Sequence, residues 1–534
     1  MKFNSRQEAQ RDVAVRRAEH FALNSTPSGV VPSEGYSQKI AGPFRIANEI
    51  LSQGKRGRDS DLDGDLDQKG GSRGHKVEDV YEKIVTTLEE AETSTKQPKI
   101  EHRERLTGPI DTLRNLCVRR LVDLIDLIDD LEGVHSEDLA RLATALGKAR
   151  KFDHRAALLV AVPSTEALYL PECSMIQEKS LMKAIEQVRG GKTGTSPLYS
   201  LRLQNCGHSM SNKSAQTLTA LASSLNHLEL SGCYKLGDEA LETLLAGCTQ
   251  LKELNLSTNC KLGMRGVVAI SNMPALRSLY LDNCVQLVDD DLAPLAARGP
   301  PFQELSLVGL TSVTDTSICS IVERYGAGLT SLRIGGCVLL SDAVLAQVRA
   351  VCKDLHHLNV GHIDKLSEAA LLSLFIQVQE SEAEAESDAM DVHKDESQGD
   401  EKGDSEELVS SQPAPPEITA HSHVGPLESI TLTNVRNTSD EVIKYLSESC
   451  TELQHVNIGG CNRLTSKAAV CLCSNAKGLV SLDVSFVRGI RNQAMTYCVD
   501  RLHALKTLHV WGCTQLDSFF DLHSNHDLLV VGRS

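Results

Sequence analysis

The sequence predicts an α/β solenoid, and three observations carry that prediction. A nine-residue motif, L-x-x-L-x-L-x-x-C, recurs along most of the chain. Within each unit the hydrophobic period changes from two, that of a strand with one buried face, to that of a helix. The 534 residues are 41% hydrophobic but only 4% aromatic, with one Trp, so the core is built from Leu, Ile, Val and Ala.

Ten copies of the motif are easily aligned. They begin at Leu225, Leu251, Leu276, Phe302, Leu329, Leu355, Leu427, Leu453, Leu479 and Leu505, preceded by LYSLRLQNC at Leu198 and a degenerate TEALYLPEC at Thr165. From Leu198 to Leu355 the spacings are 27, 26, 25, 26, 27 and 26, and from Leu427 they are again 26. Two intervals differ: 33 residues after Thr165 and 72 after Leu355. About a dozen residues past each strand comes a helical pattern, as in Leu241, Leu244 and Leu245. A strand plus a helix cannot bury its own apolar face in so short a unit, but stacked copies can. The expectation is a horseshoe of about twelve leucine-rich repeats, with a parallel sheet inside and helices outside.

Residues 1–104 mix Gly, Ser, Asp and Lys without sustained periodicity and read as mostly disordered. Lys55, Arg56, Gly57 and Arg58 fit a basic nuclear-import tetrapeptide. DSDLDGDLDQKG (59–70) mimics a calcium loop but has Gly70 where a bidentate Glu is needed, so it reads as a solvated acidic tract. From 105 to 160 the text turns helical. Leu113, Leu116, Cys117, Leu121, Leu124, Ile125, Ile128 and Leu131 follow a helical period, and Ser136, Glu137 and Asp138 start a second helix, LARLATALGKAR. The open N-terminal end of the solenoid is a natural seat for this pair.

Repeats then occupy 161–380 and 427–534, with an acidic, proline-ending insertion at 381–426 expected to be disordered. The 26-residue register resumes directly after it, so the insertion interrupts one solenoid rather than separating two domains. Between Glu380 and Glu407 stand 13 acids and 2 lysines, which accounts for most of the net charge of -16. Residues 514–534 are a candidate C-terminal cap.

Little in the chain suggests catalysis. Seven cysteines, 173, 206, 233, 284, 337, 461 and 513, share the ninth repeat position, and Cys248, Cys352 and Cys450 lie three residues before a strand. A metal reading is outweighed by packing, because Leu310, Ile363, Val435 and Val487 take the same ninth place. Cys471 and Cys473, two apart on a helix, point in different directions. Arg189 to Thr193 (RGGKT) imitates the end of a phosphate loop, but Glu186 stands where the motif needs Gly. His356, His357 and His362 lack a third ligand at suitable spacing. No catalytic residue, cofactor or metal is expected, and no apolar run of 18 residues calls for a membrane. The N-terminal text lacks a secretory apolar core, so the 16 cysteines are expected to be thiols in a reducing compartment.

What remains is binding. Solvent-facing strand positions hold Arg202, Lys252, Arg277, Arg333 and Lys506 against Glu229, Glu253, Asp282, Glu304, Glu428 and Asp483. That balance suits a protein partner on the concave face, with Arg333 and His357 as candidate contacts, better than DNA, which wants a basic stripe. DNA contact is expected to be weak or indirect. Near the C-terminus Phe486, His509 and Trp511 form a candidate aromatic anchor, with His455 at a neighbouring strand position; most other units are small or polar at the positions of Phe486 and Trp511.

The repeats resemble the cysteine-containing leucine-rich repeats of ubiquitin-ligase receptors. Thr112, Leu113, Cys117 and Leu121 match the BC-box pattern by which substrate receptors engage elongin C, a helix-in-groove contact. LRNLCVRRLVDLIDLIDDLEGV ahead of such an array resembles the Rad-seven family of nucleotide-excision-repair proteins, as do GPFRIANEIL (42–51), LKTLHVWGCTQL and the terminal LLVVGRS. The resemblance implies a nuclear, non-catalytic subunit of damage recognition in global-genome repair, with the cytoplasm as a second location. It implies elongin C and a cullin as partners, in a ubiquitin ligase for which this chain is the substrate receptor, and a Swi/Snf-type ATPase bearing a RING finger. Cysteines that could bind zinc before residue 117 are absent, which sets the N-terminal region apart from fungal members. Two alternatives stay open: an F-box-type receptor, for which LTGPIDTL is a poor opening, and a scaffold without a ligase link whose residues 107–150 only cap the solenoid.

Overall fold

The computed structural model describes residues 86, 112–163, 165–189, 198–207, 209–379, 417–516 and 528–532. The basic tetrapeptide at 55–58, the acidic tract at 59–70, the segment at 42–51, the glycines of the RGGKT loop and residues 381–416 lie outside them.

Strands run in sequence order through one sheet of 13 parallel strands. β1 (Ala167–Leu170) to β8 (His357–Asn359) come first, and β11 (Ser429–Thr431) to β15 (Leu529–Val531) continue it. The fourth repeat position forms a continuous buried column: Leu201 pairs with Leu228, Leu228 with Leu254, and so on to Leu508 beside Val530. Because the side-chain period of a strand is two, this register buries positions four and six and turns three, five and seven to the open face.

Two further rows lock each unit to the next. From the fifth unit on, the ninth-position thiol donates to the sixth-position carbonyl of the preceding unit, as Cys284 does to Leu256, Cys337 to Leu307, Cys461 to Leu432 and Cys513 to Val484, whereas Cys173, Cys206 and Cys233 donate within their own unit. Asn259 Nδ2 makes the same bond to Leu230 at 2.7 Å. Cysteine thus suits this place as a compact apolar group that also carries a weak donor. At the start of the helices, Asp289 accepts from the Thr314 amide and hydroxyl, Asp315 from those of Ser341, and Asp440 from those of Thr465. Each carboxylate therefore caps its neighbour's helix start as well as serving its own.

The insertion is narrower than expected. Residues 417–426 belong to the fold: β9 (Ile376–Gln379) and β10 (Glu417–Ala420) pair antiparallel at the base of the excursion. Gly425 (φ 112) then brings the chain back so closely that a Cβ would lie 2.6 Å from the Leu355 nitrogen. β11 pairs with β8 in unbroken register, Ile430 beside Leu358. With Gln379 opposite Glu417, replacing residues 380–416 by Asn-Gly would close a two-residue hairpin. Such a variant is expected to melt within about 1 kcal/mol of the parent stability, because loop length enters only logarithmically. A larger loss in thermal or denaturant unfolding would show that the excursion packs on the repeats.

The N-terminal end is closed by three helices, one more than the sequence period revealed: α1 (Leu113–Leu124), α2 (Ser136–Lys148) and α3 (His154–Val160). The seven-residue α3 is too short to show a period, but Asp153 caps it by accepting from the Arg155 and Ala156 amides. α2 buries Leu139, Leu142, Ala143 and Leu146 against β1, and α3 packs on the first repeat helix, α4 (Glu178–Arg189). Both the sheet layer and the helix layer are thereby capped, as the terminal unit of a solenoid requires. At the other end β15 adds a thirteenth strand beside β14 (Thr507–His509), so the terminal LLVV text continues the sheet.

Candidate binding surfaces

α1 is amphipathic in two directions. Val118, Leu121, Val122 and Ile125 turn toward the cap core, while Leu113, Leu116 and Cys117 turn to solvent, with Leu113 78% exposed and Leu116 49%. On a 3.6-residue helix positions 113, 116 and 117 share one stripe, well round from the face of 118, 122 and 125. Of the four box residues expected to meet a partner, Leu113 and Cys117 are free to do so. Thr112 is at the helix start, where its hydroxyl accepts from the Asn115 amide at 3.3 Å. Leu121 is partly buried against the cap core; its angle places it between the two faces. Leu116, absent from the box pattern, joins the exposed stripe.

The helix is held by its polar edge and its C-terminal end. Arg114 bridges Asp138 at 2.5 Å and Glu137 at 3.3 Å. The Arg114 hydrogen bond holds the Asp138 carboxyl below its ordinary range, and Arg141 followed by Arg114 does the same for Glu137. Depressed carboxyls stabilise above their unfolded pKa, so this clamp is lost as pH falls through the acid range. Arg155 donates to the carbonyls of Asp126 and Ile128, both at 2.8 Å, and Lys151 to that of Val122 at 3.1 Å. These bonds satisfy carbonyls that a helix end otherwise leaves open. The apolar stripe is presented on a fixed helix, not a fraying one.

In the first half of the open face several carboxylates already have hydrogen-bond partners. Glu253 accepts from His227 at 2.7 Å and lies 3.9 Å from Arg202, and the Tyr280 hydroxyl meets Glu304 at 2.5 Å. Arg333 is exposed on this face, in register with Ser306 and Asn359. His357, partly buried, pairs in register with Ser331 and Ser429. Its sequence neighbour His356 is taken up by Glu428 at 3.0 Å, and His362 meets Asn434. Among the described residues no three His, Cys, Asp or Glu side chains converge as a metal site would require.

The eighth repeat position is set by the backbone. Asn205, Gly232, Thr258, Asn283, Gly309, Gly336, His362, Asn434, Gly460, Phe486 and Gly512 all have positive φ. Eight of the eleven are Gly or Asn, the residues that tolerate the left-handed region best. Thr258 and Phe486, both at φ 61, are the outliers: a β-branched or bulky side chain there costs on the order of 1–2 kcal/mol. Its ring lies over Gly512, where a Cβ would come within 2.4 Å of Cδ1, and Gly532 likewise covers one face of Trp511. Phe486 remains 53% exposed and Trp511 41%. Trp511 is thus covered on one side by the returning C-terminal strand and open on another. His509 sits partly buried two residues before it, on the same face.

Thiol chemistry is confined by burial. Cys117 and Cys260 are exposed and Cys319 is intermediate, while the others are buried. Burial pushes Cys248 and Cys352 up to about 12 and Cys284 and Cys337 up to about 11. A thiolate-selective reagent should therefore modify Cys117 and Cys260 first in the native protein, and the buried thiols only on unfolding. Peptide mapping by mass spectrometry checks this; early labelling of Cys337 would contradict the packing described.

No family model matches the chain. In sequence it is 23% identical over 430 residues to DNA repair protein rhp7 of Schizosaccharomyces pombe, an alignment covering 79% of this chain and 66% of that protein. The chain thus spans just under two thirds of that relative's length. In fold it is similar to a chain in the crystal structure of the yeast Rad7 and Elc1 complex, with a TM-score of 0.56, 17% identity, and coverage of 87% of this chain and 99% of that one. A match to an internalin of Listeria monocytogenes reaches a TM-score of only 0.33 at 12% identity, over 80% of this chain and 98% of that one.

Proposed function

We propose that this Rad7-type leucine-rich-repeat protein is a non-catalytic subunit that binds elongin C through α1 and presents a protein substrate on its repeats to a cullin–elongin ubiquitin ligase in DNA repair. One observation carries the reading: a helix anchored along one face leaves Leu113, Leu116 and Cys117 exposed along another. Exposed apolar side chains in a row on a fixed helix mark an interaction site, and a helix offering such anchors fits an apolar groove. That the solved relative was crystallised as a complex with Elc1 supports the same choice of partner. The cap and the box are then one segment used on two sides. Excision repair of damaged DNA in the nucleus, with a Swi/Snf-type RING-bearing ATPase as companion, is the setting in which such a receptor would act, and its contact with DNA is weak or indirect.

The test is titration calorimetry of the full chain with purified elongin C. A saturable one-to-one complex is expected, and absence of binding would leave α1 as a cap only.

A further inference from the structure

We infer that the strand-end edge of the last repeats is a binding site for an acidic peptide segment carrying an aromatic or large apolar side chain. This deepens the receptor reading above by stating the substrate class, and its test is independent of elongin C.

Phe486 is the starting point. Ten other units place Asn, Gly, Thr or His in the left-handed eighth position; strain is shared with Thr258, but only this unit places an exposed aromatic ring there. Packing over Gly512 covers the ring only in part and leaves 53% of the residue exposed; strain of this kind collects at functional sites. Trp511 stands in the adjacent repeat, and the Phe486 amide donates to its carbonyl at 2.5 Å. With strands about 4.8 Å apart, the two rings can take one side chain between or across them.

Charge then selects the partner. Positions seven to eleven of the last four repeats read TNVRN, GGCNR, SFVRG and WGCTQ: three arginines, two aromatic residues and no carboxylate. Arg436 is bridged to Asp364 at 3.1 Å and Arg463 to Glu368 at 3.0 Å. Arg488, exposed and two residues beyond Phe486, has no ion pair among the described residues. An apolar pair beside a guanidinium with no ion pair among the described residues complements an apolar anchor flanked by carboxylates. A second copy of the chain would set this arginine edge against itself across a two-fold axis, which like charge opposes. A nucleic-acid strand needs a row of cations, whereas two of the three arginines on this edge are already paired and the chain carries a net charge of -16.

The chain's single Trp makes the test direct, because Trp511 emission reports from the site itself. The full-length protein is titrated with a synthetic peptide of Asp and Glu around a central Phe-Leu pair, with the same peptide carrying Lys for each acid, and with oligothymidine. Saturable change with the acidic peptide alone is expected. Phe486→Asn should weaken that binding at least ten-fold while the melting temperature holds or rises, since Asn accepts the left-handed backbone. Arg488→Glu should weaken it by a similar factor. Silence toward the acidic peptide, equal response to the lysine peptide, tighter binding of oligothymidine, or a Phe486→Asn protein that melts markedly lower would each overturn the inference. Elongin C binding, measured on the same samples, stays unchanged whichever way this result falls.

Discussion

The Leu113→Ser, Cys117→Ser double variant is expected to lose elongin C affinity by about 2–4 kcal/mol, roughly thirty- to a thousand-fold, without a change in melting temperature. Both side chains are exposed in the free protein, so exchanging them for serine removes no core contact. The cost arises only in the complex, where two hydroxyls would enter an apolar groove. Adding Leu116→Ser should deepen the loss, because Leu116 shares the stripe. Calorimetric titration and a thermal melt on the same sample read the two quantities separately. A variant that melts several degrees lower would mean that the stripe is packed against something in the free chain; retained affinity would mean that the adaptor binds elsewhere.

The second large effect is the reverse: a loss of stability that reaches the same site from inside. Leu146 is fully buried at the end of α2, in the layer that covers β1. Leu146→Ala should cost about 2–5 kcal/mol, the range for a leucine removed from a core that only partly collapses. In a solenoid each unit contacts only its neighbours, so the loss should appear as early opening of the cap rather than global melting. Hydrogen exchange read by mass spectrometry is expected to quicken across residues 113–160 and to leave the central repeats, such as those around Leu305 and Leu332, at parent rates. Elongin C binding then falls in proportion to the opened fraction, and high adaptor concentration restores protection to the cap. Uniform acceleration through the whole array would contradict this nearest-neighbour picture.

The contrast between these variants reflects what periodicity can and cannot specify. A spacing of 26 residues with alternating leucines determines strand, register and layer, because only one stacking buries every Leu column. The unbroken pairing of β8 with β11 across a 72-residue interval was legible for the same reason. The β9–β10 stem was not: two four-residue strands separated by a long excursion have no local pattern to announce them. Nor was the division of α1 into a cap face and a free face. Leu113, Leu116, Leu121 and Ile125 are equally apolar in the sequence, and only the position of α2 and the arginine clamps settles which of them face inward.

Cysteine and glycine give the clearest separation of the two sources. That the ninth position is a packing place could be read from its alternation with Leu, Ile and Val. That the thiols of Cys284, Cys337, Cys461 and Cys513 donate to the sixth-position carbonyl of the preceding unit required the two strands to be side by side. The recurrent Gly and Asn of the eighth position stood in the sequence as well, but only as small or polar residues; the positive φ shared by eleven units shows a backbone requirement, and so turns Phe486 from one more aromatic residue into a strained one. The sequence by itself determined the repeat, its register and the chemistry available at each position, because burial of a periodic apolar face is a property of the chain alone. Which apolar residues remain exposed, which arginines are already paired and where the backbone is strained were decided only by the tertiary structure, since each depends on a neighbour in space rather than along the chain.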